Sequence, residues 1–146
     1  VRLPIYPFEE GAKWPAVKQM TDILDAEVPD WQHAGLATYS FSAALLFATA
    51  AKACADSDGE ISRECVLKNA QDTHEWTGGG LHATADPGAN ESVACGLLVQ
   101  IKDGKWTRLF PEIGSKNDDG DGFFCSPNVE LKGDFGKGNT DSSILK

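Results

Sequence analysis

The sequence has 146 residues, which is the size of one domain. Its 13 Lys and Arg against 22 Asp and Glu give a net charge of -9, so the composition argues against binding to nucleic acid or to an anionic membrane. A hydrophobic content of 41% with 24% charged residues is ordinary for a globular protein and argues against wholesale disorder.

The N-terminal third predicts a short extended segment followed by an amphipathic helix. Residues 1–8 alternate apolar residues with two prolines, which is typical of a short strand or an extended crossover. A helical period then predicts a helix over 11–27, with Pro15 tolerated in its first turn. The apolar residues of that period are Trp14, Val17, Met20, Leu24 and Val28.

The next segment predicts a helix over 39–55 that is apolar nearly all round. Residues 34–51 carry no charge and reach the length of a membrane span, but their Gly, Ser and Thr content favours a buried helix. Such a helix must be covered on most sides by other elements. A third helix is predicted over 62–73, capped by Ser62, with Val66, Leu67 and Ala70 facing inward.

The four cysteines have no C-x-x-C spacing, which disfavours zinc ribbons and thioredoxin-like redox motifs. Two disulfides in an oxidising compartment fit the spacing better than four reduced thiols in a cytosolic protein, although the latter remains an alternative. Of the three possible connectivities we favour Cys54–Cys65 with Cys95–Cys125, because each pair ties adjacent elements across one short connection.

The C-terminal half predicts a glycine-rich turn, a hairpin and an open tail. Residues 77–88 are typical of a glycine-rich turn followed by a short strand. Asp103-Gly104 predicts a two-residue hairpin turn between strands at 94–102 and 105–111. In that register Ile101 opposes Trp106 and Leu98 opposes Leu109, and the buried face carries Cys95, Leu97, Val99 and Ile101. A further strand is predicted at 129–131.

Few motifs indicate chemistry. Residues 117–122 match the opening of a calcium loop, but position twelve is Asn128 instead of glutamate, so a solvated acidic turn is the better interpretation. His33, His74 and His82 are interpreted as surface or loop histidines and not as metal ligands. The sequence shows no nucleophile motif, so we expect no enzymatic activity, no metal and no cofactor.

Four segments in order carry a family resemblance. They are YSFSAALLFATAAKAC (39–54), SRECVLKNAQDTHEWTGGGLHATADPGA (62–89), SVACGLLVQIKDGKWTRLFPE (92–112) and GFFCSPNV (122–129). Together they resemble the C-terminal part of bacterial type I periplasmic solute-binding proteins of the branched-chain amino-acid ABC transporter family. The resemblance covers roughly residues 1–132, and similar cysteines pair within each region in one subgroup of that family.

The resemblance implies an α/β fold, namely the C-terminal portion of a two-lobed type I periplasmic binding protein with helices packing on a sheet and then a β-hairpin. It implies a helical/α-β segment of one lobe at 1–91, a β-hairpin and disulfide-tied loop reaching the second lobe at 92–132, and a flexible tail at 133–146. Strands that normally receive such helices are absent from this sequence. We therefore expect a fragment, or a chain that pairs with the remainder of its parent chain or with a second copy.

The implied function is capture of a small solute, such as an amino acid, outside the cytoplasm (in the periplasm or at the cell surface) and its delivery to the membrane permease of an ABC transporter. In that family an aromatic residue at the start of the helix resembling 39–54 lines the ligand cleft. Tyr39, Ser40 and Phe41 are therefore the candidate ligand-binding residues, with Tyr39 or Phe41 packing on the apolar part of the solute and Ser40 donating a hydrogen bond. The alternatives are a ligand-sensing receptor ectodomain of the same fold and a small secreted α+β domain with an interaction role.

Overall fold

The computed structural model describes residues 1–89, 91–128 and 133. Its described part is a mixed α/β structure, which confirms the predicted class at that level, while the two-lobed fold and the division into 1–91 and 92–132 stay predictions. The elements are β1 (Arg2–Leu3), α1 (Pro15–Glu27), α2 (Gly35–Asp58), α3 (Arg63–Gln71), β2 (Cys95–Lys102), β3 (Lys105–Phe110) and β4 (Phe124–Cys125). The strand predicted at 129–131 and, apart from Gly133, the tail predicted at 133–146 lie outside the described residues.

Helix α1 is shorter than the predicted helix over 11–27. It begins at Pro15, because a 3₁₀ turn at Phe8–Glu10 and a further turn occupy the residues before it. Proline suits the first helical position, where its missing N–H has no partner in any case. The predicted apolar face is present, since Val17 and Met20 are each only 1% exposed.

Helix α2 is longer than predicted, beginning four residues earlier at Gly35 and ending at Asp58 before Gly59. Gly59 adopts a left-handed conformation with φ 74°, as is common after the last helical residue. One side of the helix is buried through Thr38, Ser42, Ala50, Ala51 and Cys54. In the described part of the chain, no helix is both long enough and apolar enough to cross a membrane.

Helix α3 packs against the end of α2 and is tied to it by a disulfide. Ser62 caps the helix as predicted, since its hydroxyl accepts the backbone N–H of Cys65 at 3.2 Å. The predicted inward position of Leu67 is wrong, because this side chain is 50% exposed. With only nine residues, α3 turns only a narrow side toward α2.

Both predicted disulfides are present. Cys54–Cys65 joins α2 to α3 across 11 residues, and Cys95–Cys125 joins β2 to β4 across 30 residues. Two disulfides in a chain with four cysteines leave no free thiol, which fits an oxidising, extracytoplasmic environment. Strand β4, which holds Cys125, was not predicted from the sequence.

The sheet is antiparallel, with β2 paired to β1, β3 and β4. Asp103 and Gly104 both have positive φ, as the predicted hairpin turn requires, and Ile101 faces Trp106. The predicted pairing of Leu98 with Leu109 is wrong: Leu98 faces Phe110, because the register shifts between Leu98 and Val99. Ile101 is 68% exposed near the hairpin tip, so only part of the predicted face is buried.

The main core lies between the sheet, α1 and an extended stretch around residues 81–83. Leu97 and Val99 of β2 are buried there, together with the sequence-distant Leu81 and Phe123. The N-terminal segment completes this core and pairs with the extended stretch, since Ala83 N–H donates to Pro4 C=O at 2.7 Å. This packing places the segment between α3 and β2 beside α2.

Candidate functional site

The segment between α3 and β2 forms a tight glycine turn beside α2. Residues 78–80 all have positive φ, and the N–H groups of Gly80, Leu81 and His82 converge on the carbonyl of Thr77. Glycine is favoured at such positions because other residues pay a steric cost there. The predicted turn is therefore confirmed, whereas the predicted strand at 81–83 is reduced to an isolated bridge between Ile5 and His82.

A buried hydrogen-bond network connects this glycine turn to α2. The Oγ of Ser42 lies 2.8 Å from Nε2 of His82, and the indole N–H of Trp76 donates to the same Oγ at 2.9 Å. Ser42 is 5% exposed and His82 8% exposed. The interpretation of His82 as a surface or loop histidine is therefore wrong, because α2 and the N-terminal segment enclose it. We call Ser42, Trp76 and His82 the Ser42–His82–Trp76 network.

The arrangement assigns the proton on His82. Its Nδ1 lies 2.8 Å from the carbonyl oxygen of Ala83, which can only accept, so Nδ1 carries the hydrogen. Nε2 is then the acceptor for the hydroxyl of Ser42, whose oxygen accepts from Trp76. Burial lowers the pKa of His82, and the bond to Ala83 opposes that shift only in part. The ring is therefore held in its neutral form.

A serine hydroxyl bonded to a neutral histidine is the arrangement of an activated nucleophile, but here it is covered. A β-carbon at Gly78 would lie 2.7 Å from the Ser42 Oγ and 2.9 Å from the His82 Nε2, so the backbone of Gly78 closes directly over the pair. No room remains for a carbonyl substrate to approach Ser42. The network therefore fixes the turn on α2 and does not form an accessible catalytic dyad.

An apolar groove of about 160 Å³ lies on one side of the glycine turn. Phe41 and Leu45 of α2 form one wall, and Gly78, Gly79 and Leu81 form the floor. Helix α1 closes the opposite side with Ala16, Gln19, Met20 and Ile23. Gln19 is the only polar side chain in this lining, so the groove suits an aliphatic group.

A polar pocket of about 210 Å³ lies on the other side of the turn. Its polar lining comes from Tyr6, Thr77, His82, Thr84, Asp119 and Asp121. Burial, followed by the charges of Asp121 and Asp119, raises the pKa of Tyr6, whose hydroxyl donates to the Asp121 carbonyl at 2.7 Å. The ring of His82 thus has the polar pocket on one side and Ser42 of the network on the other.

The acidic loop beside this pocket uses its carboxylates to hold its own backbone. Asp118 accepts the N–H groups of Gly114, Gly120 and Gly122, and these bonds, that from Gly114 above all, lower its pKa. Asp119 accepts the N–H groups of Asp121 and Phe123 through one oxygen. Asp119 also lies near Cys95 and Cys125, but those sulfurs are bonded to each other and offer no thiolate to a metal ion.

The three predicted ligand-binding residues fall on different sides of α2. Phe41 lines the apolar groove, whereas Tyr39 is 41% exposed and Ser40 is exposed on the side turned away from the core. Because consecutive helical residues are about 100° apart, the rings of Tyr39 and Phe41 point about 200° apart and cannot both hold one small solute. Tyr39 is nonetheless partly buried, and this burial raises the pKa of its hydroxyl.

The sequence reasoning missed Ser42, Trp76 and His82. One signal was available: Ser42 is among only three polar residues over 41–55, and a lone hydroxyl on an apolar helix face needs a partner. Comparison with family models, curated proteins and solved structures finds no significant match. The family resemblance therefore remains an expectation that rests on the sequence segments alone.

Proposed function

We propose that this chain is part of an extracytoplasmic solute-binding protein, in which the apolar groove beside Phe41 receives the apolar part of a small solute such as an amino acid. The observation that carries the proposal is the groove itself, a depression lined mainly by apolar residues of α1, α2 and the glycine turn. A periplasmic or cell-surface location and delivery of the solute to an ABC permease belong to the same proposal. Both disulfides support the location.

The size of the groove supports a site with two halves. Ligand pockets typically enclose about 300–1,000 Å³, and the groove offers about 160 Å³. A solute held there would leave much of its surface in water unless a second lobe closed over it. We assign that lobe to the remainder of the parent chain.

The outer face of α2 is a second surface that the remainder of the parent chain would cover, on a side of the helix turned away from the groove. Leu36 is 76% exposed and Phe47 61% exposed, and Tyr39 lies between them along the helix. Residues 35–51 carry no charge, so an apolar partner could cover this face without removing water from a charged group. Large exposed apolar side chains on one side of a helix are typical of an interaction site. We call Leu36, Tyr39 and Phe47 the outer face of α2.

We expect a member of a panel of amino acids and small sugars, at millimolar concentration, to raise the melting temperature of the oxidised chain. A ligand that binds only the folded state stabilises it by mass action, by about 2.7 kcal/mol at a hundredfold excess over Kd. Differential scanning fluorimetry measures the shift. Phe41→Ala should abolish the solute-induced shift, and Leu109→Ala should leave it unchanged, because Leu109 lies on β3 away from the groove. Absence of a shift with every compound contradicts the proposal.

We also expect the chain alone to self-associate through the outer face of α2, because a second copy then covers the exposed apolar side chains that the remainder of the parent chain would cover. Sedimentation velocity measures the association. Phe47→Ala should weaken it, whereas Ile61→Ala is the matched control, since both side chains are 61% exposed. A monodisperse monomer over the micromolar range would count against the uncovered face as an interface.

A further inference from the structure

We propose that the Ser42–His82–Trp76 network is an acid-sensitive latch, which holds the glycine turn against α2 while His82 is neutral and releases it when His82 takes up a proton. The inference concerns the internal contact between the turn and α2 and does not depend on the identity of any solute. The proposal follows from the direction of each hydrogen bond and from the two surroundings of the His82 ring, which are Ser42 on the uncharged helix α2 and the polar pocket.

The neutral network satisfies every polar group that takes part in it. His82 Nδ1–H donates to Ala83, the Ser42 hydroxyl donates to Nε2, and the Trp76 indole donates to Ser42. A proton from solvent on Nε2 changes this pattern, because Nε2 then becomes a donor aimed at Ser42. The Ser42 hydrogen loses its acceptor, and a positive charge lies in a site that is only 8% exposed.

The groups around His82 provide an alternative position for the charged ring. Helix α2 has no charged residue over 35–51, and the glycine turn is likewise uncharged over 76–83 apart from His82 itself. The ionisable groups that face the ring across the polar pocket are Tyr6, Asp119 and Asp121. A protonated ring that turns into this pocket approaches two carboxylates and leaves Ser42. The turn and α2 then lose their connection through the network.

The expected consequence for stability has a definite sign. The pKa of His82 is lowered in the folded chain by burial, so the unfolded chain binds a proton first as the solution is acidified. The stability that neutral His82 provides is therefore complete above its ordinary pKa of about 6.5 and is lost as the pH falls below that value. His33 and His74 are exposed by comparison, with side chains 55% and 61% accessible.

NMR of the ¹⁵N-labelled chain, titrated from neutral pH to about pH 5, tests the latch on the unmodified protein. We expect His82 to be the Nδ1–H tautomer at neutral pH and to titrate below the ordinary histidine value of about 6.5. The indole signal of Trp76 should move with the His82 midpoint. Trp31 is an internal control, because its indole N–H donates to Asp25 outside the network and its signal should not move with the His82 midpoint. An Nε2–H tautomer, or a Trp76 signal that stays fixed while His82 titrates, overturns the proposal.

One pair of serine variants separates the latch from a general effect of acid. Ser42→Ala removes the hydroxyl that donates to Nε2 and so favours the neutral ring, and the His82 midpoint should therefore rise relative to the wild-type chain, while burial still lowers it. Ser40→Ala removes an exposed hydroxyl from the same helix and should leave that midpoint unchanged. Equal midpoints in the two variants would contradict the role assigned to Ser42.

Discussion

Replacing Gly78 with alanine should lower the free energy of unfolding by about 2–5 kcal/mol, which is a large part of the stability of a small domain. A left-handed backbone costs a non-glycine residue about 1–2 kcal/mol, and Gly78 has φ +64°. The added carbon would also lie 2.7 Å from the Ser42 Oγ, so Ser42 and His82 must separate. Leaving buried polar groups unpaired adds about 1–3 kcal/mol. Urea unfolding of the oxidised chain measures the loss.

The neighbouring Gly79 provides a matched control. It has nearly the same conformation, with φ +74°, but no atom outside its immediate chain neighbours lies within 4 Å of the position of a β-carbon. Gly79→Ala should therefore cost only the conformational contribution of about 1–2 kcal/mol. If both variants lose equal stability, the contact between Gly78 and the network contributes nothing, and the turn is held by its backbone alone.

The parts of this fold that the sequence predicted are the local ones. The periodicity of 11–27, the Ser62 cap and the Asp103-Gly104 turn each depend on residues within a few positions of one another, and all three are present. Cys54–Cys65 closes a connection of only 11 residues, whereas Cys95–Cys125 spans 30 residues and was correctly paired once the other two cysteines were assigned to each other. The shift in register at Leu98 was not, since the pattern of side chains does not report an extra residue in one strand.

The contacts that build the candidate site join residues far apart in the chain. Ser42 and His82 are 40 residues apart, so no spacing rule connects them, and a single histidine in a glycine-rich segment reads as a loop residue. Phe41 was a candidate, with Tyr39 and Ser40, because an aromatic residue at the start of this helix lines the ligand cleft in the family that the sequence resembles. Which side of α2 it faces depends on how α1 and the glycine turn pack, and residues 39–41 alone do not contain that information.

Replacing Arg108 with methionine should lower the free energy of unfolding by about 3–5 kcal/mol, because it leaves the carboxylate of Glu10 buried without its partner. Arg108 donates to both oxygens of Glu10, at 2.8 and 2.6 Å, and the two side chains are only 10% and 18% exposed. Arg108 also donates to the carbonyl of Gly122, so it joins β3 to the acidic loop. Chemical denaturation at neutral pH measures the loss.

Two further variants test whether the unpaired charge of Glu10 causes the destabilisation expected for Arg108→Met. Adding Glu10→Gln to Arg108→Met removes the charge and keeps an acceptor for the Trp14 indole, which donates to Glu10 at 2.9 Å. The double variant should therefore be more stable than Arg108→Met alone. Lys52→Met breaks an exposed pair with Asp56, whose side chains are 75% and 63% accessible. Its cost should be at most about 0.5 kcal/mol.

The dependence of this destabilisation on pH follows from the interactions that shift the pKa of Glu10. Burial acts to raise its pKa, but the hydrogen bonds from Arg108 and Trp14 outweigh burial and hold the pKa below its usual value. The stability from this carboxylate is therefore present above its unfolded pKa of about 4.3 and is lost as the pH falls through the lower folded pKa. Without Arg108, burial dominates, and protonation then relieves the buried charge. The difference in the free energy of unfolding between wild type and Arg108→Met should accordingly narrow from neutral pH toward about pH 4. A difference that stays constant over this range would show that lost packing, and not the unpaired carboxylate, causes the destabilisation.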